Sequence, residues 1–363
     1  MTPVKISPIF FLFPLLCLAA CTKPPPAQSE FVLGTICTVN LYGEGTQKRY
    51  GEIFSRIRAV DREMSVNQDS DVIRINQSAG TGQAVKVPQN VIDVLEQACY
   101  YADLSGGAFD PTVGPLVKLW GIGTETPRIP DESEIAAALK LIDWRDLVID
   151  KDAGTAWLRR PGQALDLGAI AKGYAADQAA AVVRAAGIRG ALIDLGGNIY
   201  VTGSRGDADF KRGIGFFKNT GRRKASDSEN DRPWRVGVQD PLQGRGAYIG
   251  ILQIRNKSVV TSGIYERYFE SGGKRYHHIL STSDGCPVEN GLLSVTIIAE
   301  SSTTADGLST SVFALGYEKG RALIDSLKNV EAIFIFEDRS VQITNGLRDI
   351  FTLTSNEYSL YPR

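Results

Sequence analysis

The sequence contains few of the residues from which several common kinds of site are built. Among 363 residues it has only two histidines, His277 and His278, and they are neighbours. Adjacent residues of a strand point to opposite faces, so at most one of them can serve a given site. This excludes a histidine-rich metal centre and a catalytic device with two histidines. The G-x-S-x-G nucleophile motif and the phosphate-binding motif G-x-x-x-x-G-K-[ST] are also absent from the sequence.

An excess of positive charge is missing as well. The 40 Lys and Arg residues are balanced by 41 Asp and Glu residues, which gives a formal net charge of −1. Proteins that hold nucleic acid need a clear surplus of Lys and Arg against the phosphate backbone, so we exclude nucleic acid as a partner. The content of 43% hydrophobic and 22% charged residues is that of a globular protein with a large core.

Cysteine is too sparse for a disulfide framework. Of five cysteines, Cys17 and Cys21 lie in an N-terminal targeting segment. The other three, Cys37, Cys99 and Cys286, are odd in number and widely spaced, and no CxxC pair indicates a metal site. We expect buried or incidental thiols and a core that supplies the stability by itself.

The N-terminal apolar run, residues 9–18, is too short to span a membrane as a permanent helix. It follows Lys5 and precedes two alanines and Cys21, an order typical of a signal segment. Residues 18–21 resemble a bacterial lipobox, which predicts removal of residues 1–20 and lipid modification of Cys21. A plain secretory signal is the alternative.

The segment after Cys21 predicts a tether. Residues 21–29 contain three consecutive prolines and favour a stiff, extended conformation. We therefore expect residues 30–363 to form one catalytic domain in the bacterial cell envelope, anchored by lipid to a membrane and facing the periplasm. Residues 204–233 are charged and poor in aliphatic side chains. They predict a surface insertion within that domain, with a partner-docking arm as the alternative.

Hydrophobic periodicity predicts an α+β fold with a mostly antiparallel sheet. Residues 47–64 carry apolar side chains at helical spacing, residues 31–41 alternate like a strand, and residues 267–275 contain a hairpin turn at Gly272-Gly273. Further helices are expected at residues 90–104, 131–142, 170–186 and 303–327. Further strands are expected at residues 147–149, 156–159, 191–194, 236–239, 248–254, 276–280, 293–299, 332–337 and 341–344.

Asp306 and Thr310 form a candidate metal pair. They are four residues apart at the start of a predicted helix, after a Ser/Thr cluster that can cap it, so their oxygens lie on one face. A carboxylate with a hydroxyl suits Mg²⁺, which takes few protein ligands and fills its shell with water and substrate phosphate. The alternative is that Asp306 only stabilises the N-terminus of its helix.

Three small-residue segments are candidates for a ligand site. DLGAIAKGY at residues 166–174 precedes a helix, and its free N–H groups and Lys172 suit an anion. DLGGN at residues 194–198 is a glycine-rich turn between strands. FDPTVGPLV at residues 109–117 combines two prolines, a glycine and an acid, which fix one backbone path.

Together these motifs resemble the ApbE-type FAD:protein FMN transferases, formerly called thiamine-biosynthesis lipoproteins. The resemblance covers nearly the whole chain after the tether, in order. The matching segments are LGT (33–35), GAFDPTVGPLVKLWG (107–121), DLGAIAKGYAAD (166–177), IDLGGN (193–198), YERYF (265–269), YHHIL (276–280) and TADGLST (304–310).

The resemblance implies an ApbE-like fold with FAD in a cleft between two halves. It implies Mg²⁺-dependent transfer of FMN from FAD to a Thr or Ser hydroxyl of an acceptor protein, an envelope redox subunit, with release of AMP. His278 and Asp306 would be catalytic, and the metal would bind Asp306, Thr310 and the carbonyl of Ala169. The implied flavin contacts are Leu33, Asn67, Ala108, Phe109, Asp110, Asp166, Lys172 and Leu280.

The sequence departs from the family at two positions. Leu33 stands where methionine is common, a mild change. Asn67 stands where a tyrosine stacks on the flavin ring, and losing that stack removes about 1 kcal/mol of binding. Faster flavin release would let water replace the acceptor hydroxyl, so hydrolysis of FAD to FMN and AMP is the alternative function. A non-catalytic flavin-binding lipoprotein is a third.

We expect Cys21→Ser to turn a membrane-bound protein into a soluble or unprocessed precursor, because the acyl chains that hold it would be attached there. Membrane fractionation and labelling with a fatty-acid analogue measure this. Unchanged lipid labelling of the variant would show that Cys21 is not the attachment site.

Overall fold

The computed structural model describes residues 26–42, 44–204 and 232–361. The predicted signal segment, Cys21 and nearly all of the predicted insertion at 204–233 lie outside these ranges. The helices are α1 Gln47–Met64, α2 Asp71–Gln77, α3 Gln89–Leu104, α4 Gly114–Trp120, α5 Glu132–Leu139, α6 Ala171–Ala185, α7 Ser302–Leu315 and α8 Tyr317–Ser326. The strands are β1 Gln28–Val32, β2 Thr35–Leu41, β3 Val85–Lys86, β4 Leu147–Asp150, β5 Thr155–Leu158, β6 Gly190–Leu195, β7 Asn198–Gly203, β8 Trp234–Gln239, β9 Tyr248–Ile254, β10 Lys257–Gly263, β11 Tyr268–Ser271, β12 Lys274–His277, β13 Leu292–Ala299, β14 Glu331–Phe336, β15 Ser340–Ile343, β16 Phe351–Leu353 and β17 Ser359–Leu360.

A nine-stranded sheet forms the centre of the described chain, in the order β1-β2-β6-β7-β10-β13-β14-β15-β17. Its neighbours pair antiparallel, except β15 and β17, which pair parallel. The predicted α+β class with a mostly antiparallel sheet is thereby confirmed.

Both faces of this sheet are covered, which explains why β13 is buried along its whole length. One face packs against α1, α3, α6 and α7, with Val295 and Ile297 in the shared core. The other face packs against the three-stranded sheet β16-β9-β8, through residues such as Ile298 and Leu252. A third, smaller cluster joins α4 and α5 to the β11–β12 hairpin.

Helices α6 and α7 approach each other closely because α6 carries a glycine at the contact. A Cβ atom on Gly173 would lie 2.4 Å from the carbonyl oxygen of Ser302 and 2.7 Å from the Cβ of Asp306. Both distances are far inside van der Waals contact, so no side chain fits there. This contact places the start of α6 against the first turns of α7.

Several predicted boundaries are wrong, including that of the strand predicted at residues 276–280, because β12 ends at His277. Residues 31–41 are a hairpin rather than one strand, because Leu33 and Gly34 adopt φ angles of 55° and 66° and reverse the chain. The predicted tether ends too late, since β1 begins at Gln28. The predicted helix 303–327 is divided into α7 and α8 by Gly316, whose φ of 77° ends a helix.

The hairpin at residues 267–275 and helix 47–64 are confirmed. Within the described ranges, none of the helices is long and apolar enough to cross a membrane. The three cysteines Cys37, Cys99 and Cys286 are free thiols.

Gly173→Ala should lower the free energy of unfolding by about 1–3 kcal/mol, because the added methyl overpacks the α6–α7 contact. Gly51→Ala is the matched control, since it lies in α1 with nothing within 4 Å of the added Cβ. It should stabilise by up to about 1 kcal/mol through the better helix propensity of alanine. Urea unfolding midpoints compare the two. A Gly173→Ala protein as stable as Gly51→Ala would contradict the close contact.

Candidate active site

The predicted metal pair lies on α7, in the geometry that the sequence suggested. Ser301 caps this helix, and its hydroxyl accepts a hydrogen bond from the N–H of Thr304 at 3.2 Å. Asp306 and Thr310 follow one turn apart on the same face. Asp306 is only 4% exposed, and Thr310 is half-buried.

Asp177 of α6 holds the N-terminus of α7 in place. Its carboxylate accepts hydrogen bonds from the N–H groups of Ser302 at 2.8 Å and Thr303 at 2.9 Å, and from the hydroxyl of Ser301 at 2.7 Å. A negative charge is favourable at a helix N-terminus, where free N–H groups concentrate. Sequence reasoning missed this role, because 124 residues separate Asp177 from Ser301.

Asp306 also replaces a backbone hydrogen bond at the start of α6. Its Oδ2 accepts from the N–H of Gly173 at 2.8 Å. In an α-helix that N–H would bond to the carbonyl four residues earlier, which belongs to Ala169. In the part of the chain that the structure describes, no donor reaches the Ala169 carbonyl. The carboxylate and this free carbonyl therefore lie at the same end of α6.

The oxygens at this place fit a hard divalent cation. They are the Ala169 carbonyl, the Asp306 carboxylate and the Thr310 hydroxyl, whose Oγ1 lies 3.2 Å from the Ser262 hydroxyl. Carbonyl, carboxylate and hydroxyl oxygens are the ligands that Mg²⁺ accepts. The described residues contain no cluster of three or more His, Cys, Asp or Glu side chains that could hold a metal. The Mg²⁺ assignment stays a prediction.

Asp166 and Lys172 lie together at the same end of α6. The Asp166 carboxylate accepts from the N–H of Gly168 at 2.8 Å, and the ammonium of Lys172 donates to the Gly168 carbonyl at 3.2 Å. Burial raises the pKa of Asp166, while the charges of Arg267 and Lys172 oppose that rise. The backbone N–H of Asp166 donates to Pro111, which joins this turn to the segment 109–117.

The segment that contains Ala108, Phe109 and Asp110 is fixed by its own hydrogen bonds. Asp110 accepts from the N–H of Thr112 at 2.7 Å and from the N–H of Trp144 at 3.0 Å, one on each carboxylate oxygen. Burial raises the pKa of Asp110. Phe109 is 4% exposed and Ala108 half-buried. In this structure the Asp110 carboxylate joins the segment to Trp144 and holds its backbone path by hydrogen bonds.

The two leucines predicted to contact the flavin, Leu33 and Leu280, differ in burial and in backbone conformation. Leu33 is half-buried and has a φ of 55°, a left-handed conformation that aliphatic residues seldom adopt. Leu280 is 7% exposed and packs with Leu116 and Trp120 in the small cluster under α4. Strain of the kind seen at Leu33 concentrates at functional sites.

The two histidines occupy different environments. The His277 ring is buried, donates from Nε2 to the Val288 carbonyl at 2.9 Å and packs edge-on against Phe313. The Nδ1 of His278 lies 3.3 Å from the carbonyl of Arg267, and the His278 backbone N–H donates to that carbonyl at 3.0 Å. A carbonyl only accepts, so Nδ1 carries the proton and Nε2 carries the lone pair. Within the described ranges Nε2 has no partner.

The pKa of His278 falls to about 3, because burial disfavours the charged ring and the Arg267 charge lies nearby. The imidazole is therefore neutral at pH 7 and can accept a hydrogen bond. His277 also has a lowered pKa, for which burial is the main cause.

Three turns from distant parts of the chain meet at Glu266 and Arg267, a convergence that the sequence did not reveal. A Cβ on Gly34 would lie 3.7 Å from the Arg267 guanidinium, and one on Gly123 would lie 3.3 Å from its Cδ. A Cβ on Gly197 would lie 3.9 Å from the Glu266 carboxylate. These glycines all have positive φ angles.

The charges at this meeting point interact with the metal pair. Burial raises the pKa of Glu266, the charges of Lys172, Arg245 and Arg267 oppose this, and Asp306 reinforces it. The charges of Lys172, Arg267 and Asp306 therefore all act on the Glu266 carboxyl group.

Asn67 is exposed in the loop between α1 and α2, and this loop is closed by the Ser70 hydroxyl, which donates to the Ser65 carbonyl at 2.6 Å. The Asn67 backbone N–H donates to the Ser65 hydroxyl at 3.1 Å. Among the described residues, no side-chain partner fixes the Asn67 amide. Its assignment as a flavin contact stays a prediction.

The sequence comparison identifies the family. Residues 33–334 match the profile of the ApbE family. The chain belongs to the ApbE family. A protein of Treponema pallidum (strain Nichols) named FAD:protein FMN transferase is 36% identical to this ApbE-family chain over 334 residues, which cover 89% of this chain and 88% of the relative.

Solved ApbE structures share the fold. The crystal structure of the ApbE protein from Thermotoga maritima matches with a TM-score of 0.75 at 30% identity and covers 89% of this chain and 98% of that chain. The apo form of the flavinyl transferase ApbE from Pseudomonas stutzeri gives a TM-score of 0.72 at 29% identity and covers 89% and 96%. The resemblance drawn from the motifs is confirmed.

Asp306→Asn should weaken Mg²⁺ binding by at least about 100-fold, because it removes the charged ligand of the set. The amide oxygen can still accept from Gly173, so the fold is kept. Thr310→Ala should weaken binding less, since it removes a neutral ligand. Calorimetric titration with Mg²⁺ alone measures both variants. Asp325→Asn on α8, a half-exposed acid paired with Arg321, is the control. Wild-type Mg²⁺ affinity in Asp306→Asn would show the metal assignment to be wrong.

Proposed function

We propose that this ApbE-family protein is a Mg²⁺-dependent FAD:protein FMN transferase. It moves FMN from FAD to a Thr or Ser hydroxyl of an acceptor protein and releases AMP. The proposal is supported most by the oxygens of Ala169, Asp306 and Thr310, by Lys172 at the same end of α6, and by the neutral His278, on which the charge of Lys172 acts. The name FAD:protein FMN transferase of the Treponema pallidum relative, which spans most of this chain, supports the same activity.

The start of α6 suits the pyrophosphate of FAD. At the first turn of the helix, the backbone N–H of Lys172 has no acceptor among the described residues and can meet an anion, and the Lys172 ammonium adds a positive charge at the same end. The glycine turns at 33–34 and 196–197 let the ligand approach the backbone. A divalent metal on the three oxygens would offset the negative charge that develops on the pyrophosphate during transfer. FAD would lie in the cleft that these turns border.

His278 is suited to receive the proton of the acceptor hydroxyl. The hydroxyl oxygen attacks the phosphorus of the FMN half, the bond from that phosphorus to the bridging oxygen breaks, and AMP leaves with the bridging oxygen. The hydroxyl proton passes to Nε2, the lone-pair nitrogen that the Arg267 carbonyl leaves free by holding Nδ1–H. A ring with a pKa of about 3 is a weak base, so it accepts the proton as the bond to phosphorus forms.

Hydrolysis of FAD to FMN and AMP is the second candidate, and the exposed Asn67 favours it. Water is then the attacking group in place of the acceptor hydroxyl. A polar, exposed side chain offers no aromatic face to the flavin, so bound FAD would exchange faster and meet water more often.

We also propose that lipid at Cys21 holds the enzyme to a membrane on its periplasmic side, near an envelope redox subunit that accepts the flavin. Gln28, where β1 begins, is seven residues after Cys21. Seven residues span at most about 25 Å, which would keep the domain close to the membrane surface.

One experiment tests both candidates on the wild type and on Asn67→Tyr. Each protein is incubated with FAD and Mg²⁺, with and without a candidate envelope acceptor subunit, and free FMN, AMP and protein-bound flavin are measured. We expect the wild type to label the acceptor and also to release free FMN. Asn67→Tyr should bind FAD about tenfold more tightly and release less FMN, because a stacked ring contributes about 1.5 kcal/mol.

The outcomes separate the candidates. AMP without labelled acceptor would leave hydrolysis as the function. Absence of AMP under all conditions would overturn both. Equal FAD affinity and equal product ratios in the two proteins would make Asn67 an ordinary loop residue, and the protein an ordinary transferase.

A further inference from the structure

The side chain of Arg267 occupies a central position and has no part in the proposed mechanism. Arg267 ends the loop between β10 and β11, where the glycine turns at 33–34 and 121–123 lie against its side chain. A side chain at Gly123 would crowd it, and one at Gly34 would be in ordinary contact with its guanidinium. The loop thus places a long cationic side chain across two turns of the site.

The guanidinium of Arg267 has no partner of its own. Within the described ranges it makes neither an ion pair nor a hydrogen bond. Its neighbour in the hairpin, Arg275, is paired with Glu270 at 3.3 Å and stacks on Tyr268 at 4.1 Å. Arg267 is exposed, so its guanidinium, which bonds to neither Asp166 nor Glu266, can be reached by a ligand.

The backbone of Arg267 is fixed at the same time. Its carbonyl accepts from the His278 N–H at 3.0 Å and from the His278 ring at 3.3 Å. The side chain therefore starts from a defined point next to the candidate base.

We propose that the Arg267 guanidinium binds a phosphate of the flavin nucleotide and positions the pyrophosphate beside His278. This rests on the proposed function, in which FAD is the substrate. A guanidinium presents parallel N–H groups that match two oxygens of a phosphate, which the single ammonium of Lys172 does not. Arg267 would therefore fix the orientation of the pyrophosphate, while Lys172 supplies charge.

The test compares two ligands and two arginines. Binding of FAD and of riboflavin, which has no phosphate, is measured on Arg267→Gln, with Arg275→Gln as the matched control in the same hairpin. Arg267→Gln should weaken FAD binding about tenfold or more and leave riboflavin binding unchanged, because a charge-assisted hydrogen bond to phosphate is lost. Arg275→Gln should bind both ligands like the wild type.

Kinetics separates positioning from a structural effect. In Arg267→Gln the KM for FAD should rise, and Arg267→Lys should recover part of the charge but not the two-point contact. Equal losses for FAD and riboflavin, or full recovery by lysine, would overturn the proposal.

Failure of this inference is distinct from failure of the proposed function. If the wild type transfers FMN and Arg267→Gln binds FAD normally, only the role of Arg267 is wrong. If the wild type neither transfers nor hydrolyses, a selective loss of FAD binding in Arg267→Gln would still establish the phosphate contact.

Discussion

The contact between α6 and α7 is the constraint on which the site depends. A carboxylate as buried as Asp306 needs a donor, and it obtains one from the Gly173 N–H, which forgoes its usual helical bond. Because the Gly173 N–H donates to Asp306, the Ala169 carbonyl has no helical hydrogen bond. Asp177 fixes the other end of the contact by capping α7. The crossing of α6 and α7 thus leaves the Ala169 carbonyl without a hydrogen bond and orients the Asp306 carboxylate. The close packing is possible because Gly173 has no side chain.

Local patterns predicted the regular elements well. Helix 47–64 and strand 248–254 have the predicted bounds. Each buries apolar side chains whose spacing along the sequence is visible over a few neighbouring residues. Two of the errors arose where one residue adopts a left-handed conformation. The chain reversal at Leu33 could not be predicted, since leucine gives no sign of a positive φ. The division at Gly316 could have been suspected from the glycine alone.

The candidate site was predictable to the extent that its residues are neighbours in sequence. The spacing of Asp306 and Thr310 and the glycine-rich start of α6 both carried a signal. The roles of Asp177, Glu266 and Arg267 depend on turns that are far apart in the chain, so only folding brings them together. The flavin contact of Asp110 stays a prediction, and in the structure its two carboxylate oxygens accept from the N–H groups of Thr112 and Trp144.

The strand order also determines which edge of the sheet faces the solution when the protein is immobilised through its C-terminal end. Strands β1 and β17 form the two outer edges of the nine-stranded sheet within the described chain. Strands are spaced about 4.8 Å apart, so these edges are separated by roughly 40 Å along the sheet. A capture tag joined after β17 would attach the protein to a sensor surface by one edge. The β1–β2 hairpin, with the strained turn at Leu33, would then face the solution from the other.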